Sequence, residues 1–253
     1  MSLTFRQKEI LNRVRASGRV AVEPLAVALA VTPQTIRRDI NILCDEGHLT
    51  RVHGGAILQS GVANTAYTAR KSMAAEAKEA IGRLCAEAIP DDASLFINIG
   101  TTTEAVARAL CIRRDLLVIT NNLNVANIMA DNPHCGVMVT GGMLRRSDGG
   151  LVGEQTLDTV QQFKADYAII GVSAIDDDGA LLDFDYREVR VAQAIIANAR
   201  KVFLVADSCK LARSAPARIG HLSEIDGFFT DQPLPEALAQ MCKLHGVEVR
   251  LVG

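Results

Sequence analysis

The chain has 253 residues, 49% hydrophobic and 22% charged, proportions that exclude a disordered or collagen-like polymer and fit one large domain or a small one joined to a medium one. Its formal charge of −2 conceals an asymmetry. Of 27 basic and 29 acidic residues, eight and five fall in the first sixty, so a segment of +3 precedes one of −5. A small basic module ahead of a larger acidic one is the pattern expected when only the first meets a polyanion. No apolar run near the N-terminus reaches the ~20 residues of a bilayer span. The opening residues lack the basic cap and greasy segment of a secretory signal, so a cytoplasmic protein without membrane contact is expected. Six scattered cysteines and five dispersed histidines make no cluster at ligand spacing. Neither a disulfide framework nor a metal site is expected, and no cofactor is called for.

Three short helices are predicted first. Thr4 caps one that runs to about Ala16, with Ile10 and Val14 on one face. A second spans about Val22 to Ala30, with Pro24 in its first turn. The third opens on the cap-and-proline pair Thr32-Pro33 and continues to Gly47. At about 100° per residue, Ile36, Ile40 and Leu43 share one side of it, while Gln34, Arg38 and Asn41 share the other, flanked by Thr35 and Arg37. Such side chains suit base edges in a major groove, where arginine donates to guanine and glutamine or asparagine pairs with adenine. Leu49, Val52 and Ile57 around a Gly54-Gly55 turn read as a β-hairpin, a wing that would bring Arg51 and His53 to a phosphate strand. These elements make a winged helix-turn-helix domain over residues 3–58, its helix-turn-helix at about 20–39. Residues 59–72 lack a sustained period and are rich in small polar side chains, so they read as a linker.

Residues 73–253 alternate apolar runs with helical patterns. An alanine-rich helix spans Met73 to Ile89 and strands are predicted at 94–99, 116–119, 137–139, 167–172, 202–206, 227–230 and 247–252. Helices begin near Thr102, Leu123, Glu154, Arg187 and Pro235. The alternation indicates an α/β domain with a largely parallel sheet between two helical layers. Ligands of such sheets sit beyond the carboxyl ends of the strands. There the chain offers Gly100, Thr101, Thr102 and Thr103 at a helix start, which favours a phosphate. It also offers Thr120, Asn121 and Asn122, then Gly141, Gly142 and Arg145, then Asp183, Glu188 and Lys210. Each fragment alone reads equally as a cap, a turn or a solvated loop. Taken together they fit a small phosphorylated polyol or sugar, with hydroxyls for Asn and Asp and an anion for Thr and Arg.

The run Thr32-Pro33-Gln34-Thr35-Ile36-Arg37-Arg38-Asp39-Ile40-Asn41, followed by Arg51-Val52-His53-Gly54-Gly55-Ala56, resembles the N-terminal domain of DeoR-type bacterial transcription repressors. In that family this helix reads the operator, a role the resemblance carries to Gln34, Thr35, Arg37 and Arg38. The remainder resembles the family's sensor domain, whose fold is related to ribose 5-phosphate isomerase and CoA transferases. The segments beginning at Gly100, Thr120, Ser147 and Leu182 are similar to the subgroup that senses glycerol 3-phosphate. Glu154 stands where many sugar-phosphate members have proline, which fits that subgroup. The resemblance implies a repressor of glycerol and glycerol-3-phosphate metabolism genes, acting as a dimer or tetramer on double-stranded operator DNA and released by glycerol 3-phosphate.

A second reading is an isomerase-like enzyme with a DNA-binding appendage, or a repressor of this type answering to another sugar phosphate. Isomerisation needs a base beside a carbonyl-bearing substrate, and Asp183, Asp185, Glu188 and Lys210 are suitable types. Glycerol 3-phosphate has no carbonyl to enolise, whereas sensing requires only unequal affinity for two protein states. Binding without turnover is the favoured expectation.

Overall fold

The computed structural model describes residues 3–17, 19–45, 48–52, 54–58 and 67–253. The N-terminal unit comprises α1 (Phe5–Ser17), β1 (Arg19–Ala21), α2 (Val22–Ala28), α3 (Pro33–Asp45), β2 (Leu49–Val52) and β3 (Gly55–Leu58). Thr4 and Gln7 cap α1 reciprocally: the Thr4 hydroxyl accepts from the Gln7 amide at 3.2 Å, and the Gln7 side chain accepts from the Thr4 amide at 2.9 Å. Ile10, Val14, Leu25, Ile36, Ile40, Leu43 and Leu49 are buried together in one core, so the apolar side of α3 faces inward as its periodicity requires. The wing differs from expectation in one respect. Gly55 is not a turn residue but the first residue of β3, opposite Val52 and Ala21. A Cβ there would lie 1.9 Å from the Val20 carbonyl oxygen, so close strand approach excludes a side chain. β1 completes a three-stranded sheet in the order β1-β3-β2.

The second unit begins six residues before the predicted helix, with α4 (Tyr67–Ser72) inside the stretch read as linker. There follow α5 (Ala75–Glu87), β4 (Ser94–Ile97), α6 (Thr101–Leu110), β5 (Leu116–Thr120), α7 (Leu123–Met129), β6 (Cys135–Val139), β7 (Met143–Arg145), β8 (Gly150–Val152), α8 (Glu154–Gln161) and β9 (Ala165–Ile170). The chain ends with β10 (Ala174–Ile175), β11 (Ala180–Asp183), α9 (Tyr186–Ala197), β12 (Ala199–Val205), β13 (Ala217–His221), β14 (Gly227–Thr230), α10 (Glu236–His245) and β15 (Glu248–Leu251). All seven predicted strands join one sheet in the order β15-β14-β12-β9-β4-β5-β6, and every pairing in it is parallel.

Alternate residues of the central strands enter different cores. Phe96, Ala168, Ile170, Val202, Leu204 and Phe228 pack on one face with Val160, Ile195 and Leu238 of α8, α9 and α10. Leu95, Ile97, Ile169, Phe203, Val205 and Phe229 pack on the other with Ile81, Leu110 and Met129 of α5, α6 and α7. A strand buried on both faces has no room for polar side chains along its length, so these collect beyond its end. Two small antiparallel pieces, β7-β8 and β10-β11-β13, lie outside the main sheet; the sequence patterns did not announce them.

Helices α5 and α6 approach closely at Gly82, where a Cβ would stand 2.7 Å from the backbone carbonyl of Ala105. Gly82→Ala gains up to ~1 kcal/mol of helix propensity but forces two backbones apart at about 1–3 kcal/mol. The variant is therefore expected to unfold at a lower urea concentration than the parent. An unchanged or higher midpoint would contradict this packing.

Candidate functional site

Two sets of predicted residues occupy two separate sites. On the N-terminal unit, Gln34, Arg37, Arg38 and Asn41 are exposed on α3, opposite the side anchored by Ile36, Ile40 and Leu43. The side chains of Gln34 and Arg38 make no hydrogen bond or ion pair among the described residues. The others are engaged. Thr35 shares a hydroxyl contact of 2.9 Å with Thr32, whose oxygen also accepts the Thr35 amide at 3.3 Å. Arg37 donates to Glu23 of α2 at 3.1 Å. Arg51 of the wing donates to the Asn41 side chain, which joins the end of the exposed helix face to the hairpin. His53 lies outside the described residues. Exposed contacts of this kind are worth ~1 kcal/mol or less, so they can be exchanged for phosphates or base edges. Asp39 of the Arg-Arg-Asp run has a different task. It is buried at 5% exposure and takes a hydrogen bond from Arg6 of α1, which fixes α3 to its scaffold.

The second site lies beyond the carboxyl ends of β4, β9, β11 and β12. Here Gly100, Thr101, Thr102, Asp183, Glu188 and Lys210 line one cavity, together with Arg70 and the Gly171-Val172-Ser173 loop. Asn98 ties two of its walls by donating to the Gly171 carbonyl at 3.1 Å and accepting from the Gly171 amide at 2.8 Å. The cavity measures about 20 Å³, room for a single water. Thr101 also borders a second cavity of about 330 Å³, lined by Lys71, Lys78 and Arg108. α4 contributes a wall to each, through Arg70 and Lys71.

Lys210 dominates the electrostatics of the smaller cavity. It is buried at 9% exposure, and its amine makes no hydrogen bond or ion pair among the described residues. Burial pushes it down to about 8 against the pull of Asp207, with Arg213, Lys78 and Arg70 adding to the depression. Burial likewise lowers Lys78 and Arg213. Four cations thus crowd one corner. Among the described residues the Thr102 hydroxyl has no hydrogen bond either, and the buried Oδ2 of Asp207 has none. An anion with hydroxyl groups would meet this unmet capacity, with the first-turn amides and dipole of α6 added. On the opposite wall, burial and the nearby Asp183 push Glu188 up to about 8 even though Arg145 donates to it.

The remaining predicted residues do not line the cavity. The Thr103 hydroxyl donates to the carbonyls of Asn98 and Gly100, both at 2.8 Å. Thr120 donates to the Ile97 carbonyl at 2.7 Å and accepts from the Asn122 amide at 3.0 Å. Asn121 donates to the Leu151 carbonyl at 3.1 Å, and Asn122 caps α7 through the Asn124 amide at 2.9 Å. The Gly141 carbonyl accepts the Thr156 hydroxyl at 2.6 Å, and a Cβ on Gly142 would meet that same hydroxyl at 2.2 Å. Arg145 holds Asp148 through two bonds, at 2.8 and 2.9 Å, and reaches Asp185 at 3.1 Å as well as Glu188. These groups brace the rim of the sheet. The cavity also contains a residue the sequence reading missed, Arg70. Its only sequence signal was the basic pair Arg70-Lys71 inside a supposed connector.

Sulfate is dianionic across the neutral range, so its binding reports the protein's own titration. As pH rises through about 8, Lys210 loses its positive charge and Glu188 gains a negative one. Both changes disfavour an anion. Sulfate affinity measured by calorimetry should therefore fall several-fold between about pH 7 and 9, and Lys210→Met should abolish most of it. Affinity that rises or stays flat with pH would count against this site.

Residues 6–62 match the family described as DeoR-like helix-turn-helix domain, and residues 73–232 match the DeoR C terminal sensor domain. Over 251 residues the chain is 45% identical to the glycerol-3-phosphate regulon repressor of Escherichia coli K12, covering 99% of this chain and 100% of that protein. Among solved structures, a Pyrococcus horikoshii translation initiation factor eIF-2B superposes with a TM-score of 0.50 at 14% identity, over 90% of this chain and 95% of that one. Ribose 5-phosphate isomerase A of Methanocaldococcus jannaschii gives 0.41 at 13% identity, over 55% of each. The first of these likenesses shows the fold alone.

Proposed function

The chain belongs to the DeoR family of transcription regulators, and from that premise we propose that it represses genes of glycerol and glycerol-3-phosphate metabolism and leaves its operator when glycerol 3-phosphate binds. The observation that carries this reading is the 45% identity with the glycerol-3-phosphate regulon repressor, which runs through both halves of the chain. The two sites supply what each half needs.

In this reading α3 enters the major groove with Gln34 and Arg38 toward base edges. Thr35, Arg37 and Asn41 give up their resting contacts at the interface, and Arg51 grips a phosphate from the wing. Paired subunits, as a dimer or tetramer, present two such helices to a palindromic operator. The phosphate of the effector sits against Lys210 and the start of α6, with Arg70 reaching it from α4. Its hydroxyls face Asp183 and Glu188. A phosphorylated polyol held this way is sensed and not transformed, since it has no carbonyl for a base to enolise.

The test is titration of a labelled operator complex with glycerol 3-phosphate, fructose 1-phosphate and free glycerol. Only the first should dissociate it, and release by glycerol alone would refute a phosphate sensor. Linkage requires operator to weaken effector binding by the same factor as effector weakens operator binding. Arg38→Ala should lose about 1–3 kcal/mol and relax discrimination at its base pair while binding effector normally. If it bound operator as tightly and selectively as the parent, Arg38 would not face the groove. Thr102→Ala should do the reverse, leaving a repressor that binds operator normally and is harder to induce.

A further inference from the structure

Helix α4 is the first described element after the winged unit, separated from β3 by residues 59–66 alone. At its N-terminus the Tyr67 hydroxyl donates to Glu104 at 2.9 Å and accepts from the Asn124 amide group at 3.2 Å. Glu104 is buried at 2% exposure and has no cation paired with it among the described residues. Its other side-chain donors are Asn124 at 3.0 Å and Asn122 at 3.5 Å. A buried carboxylate held only by neutral donors suffers when one of them leaves. Burial and the Glu104 hydrogen bond push the Tyr67 phenol up to about 12, so it remains a donor at any working pH.

The other end of α4 belongs to the cationic cavity. Arg70 lines it and pairs with Asp148 at 3.0 Å. The carbonyls of Arg70 and Met73 accept from the buried Lys78 amine at 2.5 and 2.6 Å. An entering phosphate competes with Asp148 for Arg70. It also needs more space than about 20 Å³, and α4 forms part of the wall of that cavity and of the larger one that shares Thr101.

We propose that α4 is a strap that reports effector occupancy to the winged domain: the Tyr67–Glu104–Asn124 latch holds the operator-competent arrangement, and an anion that draws Arg70 off Asp148 releases it. This rests on the effector reading above. Only residues 59–66 separate α4 from β3, and at ~3.3–3.6 Å per residue they limit the separation of the two elements to about 30 Å. Tyr67, Glu104 and Asn124 are therefore positioning residues that touch neither operator nor effector.

The test compares the parent with Tyr67→Phe, which removes one hydroxyl and preserves the ring. Without effector, the variant should bind operator several-fold more weakly. It should bind glycerol 3-phosphate more tightly by a similar factor, because binding no longer works against the latch. General damage to the fold would weaken both. An operator Kd and an effector Kd equal to the parent's, or both weakened, overturns the strap. A second measurement needs no variant: amide exchange at residues 68–73 of the parent should quicken when glycerol 3-phosphate is added, or sulfate if that compound fails to bind, and unchanged protection likewise overturns it. Failure of glycerol 3-phosphate to dissociate the parent from operator defeats the effector assignment instead, and the strap is then judged on the effector-free operator Kd of Tyr67→Phe and on exchange with sulfate.

Discussion

A parallel sheet packed on both faces leaves its strands nowhere to place a polar side chain except past their ends. Leu95, Phe96 and Ile97 are all fully buried, as are Ala168, Ile169 and Ile170, and polar residues follow within three positions, Asn98 after the first run and Ser173 after the second. The chemistry of the second domain is thus concentrated at one rim, where the amides at the start of α6 and the buried Lys210 meet the loops leaving neighbouring strands. Water is scarce there, so each charge acts over a longer range than it would at an open surface. A lysine depressed by burial beside other cations is costly without an anion.

The same rim holds a chain of ion pairs. Asp148 is shared between Arg70 of α4 and Arg145 of β7, and Arg145 continues to Asp185 and Glu188. Burial works to raise Asp185, yet hydrogen bonds from Arg187 and Arg145 hold it down to about 2. Glu188, deeper and next to Asp183, moves the opposite way. Two carboxylates on one guanidinium are therefore shifted in opposite directions, because one has a second arginine and the other has burial and a like-charged neighbour.

The large features of the fold were legible because they rest on periodicity. Ile36, Ile40 and Leu43 repeat at helical spacing, and the strands of the main sheet are continuous apolar runs bounded by glycine or polar residues. The elements that escaped notice are short and held by contacts remote in sequence. β7 and β8 have three residues each, β10 has two, and α4 has six with no fully buried side chain. Its side chains are held by Glu104, Asn124 and Asp148, all far along the chain, and its carbonyl end by Lys78 of the next helix. The site was half legible for a related reason. Of the residues that strand-end position singles out, Gly100, Thr101, Thr102, Asp183, Glu188 and Lys210 line the cavity, whereas Thr120, Asn121 and Asn122 turn inward to close the rim. Composition reports the capacity to hydrogen-bond, whereas only the fold decides between an internal partner and an outside one.

The resting contacts on the winged domain also bear on how it behaves on the wrong DNA. Glu23 and Asn41 already occupy Arg37 and Arg51, and a backbone phosphate must evict them before it can be gripped. Each substitute partner discounts the bare electrostatic attraction that any duplex exerts. In the proposed reading, in which Arg37 and Arg51 meet DNA, a regulator so furnished spends less time stuck at random sequences and more time searching, at the expense of a slightly weaker hold on the correct one.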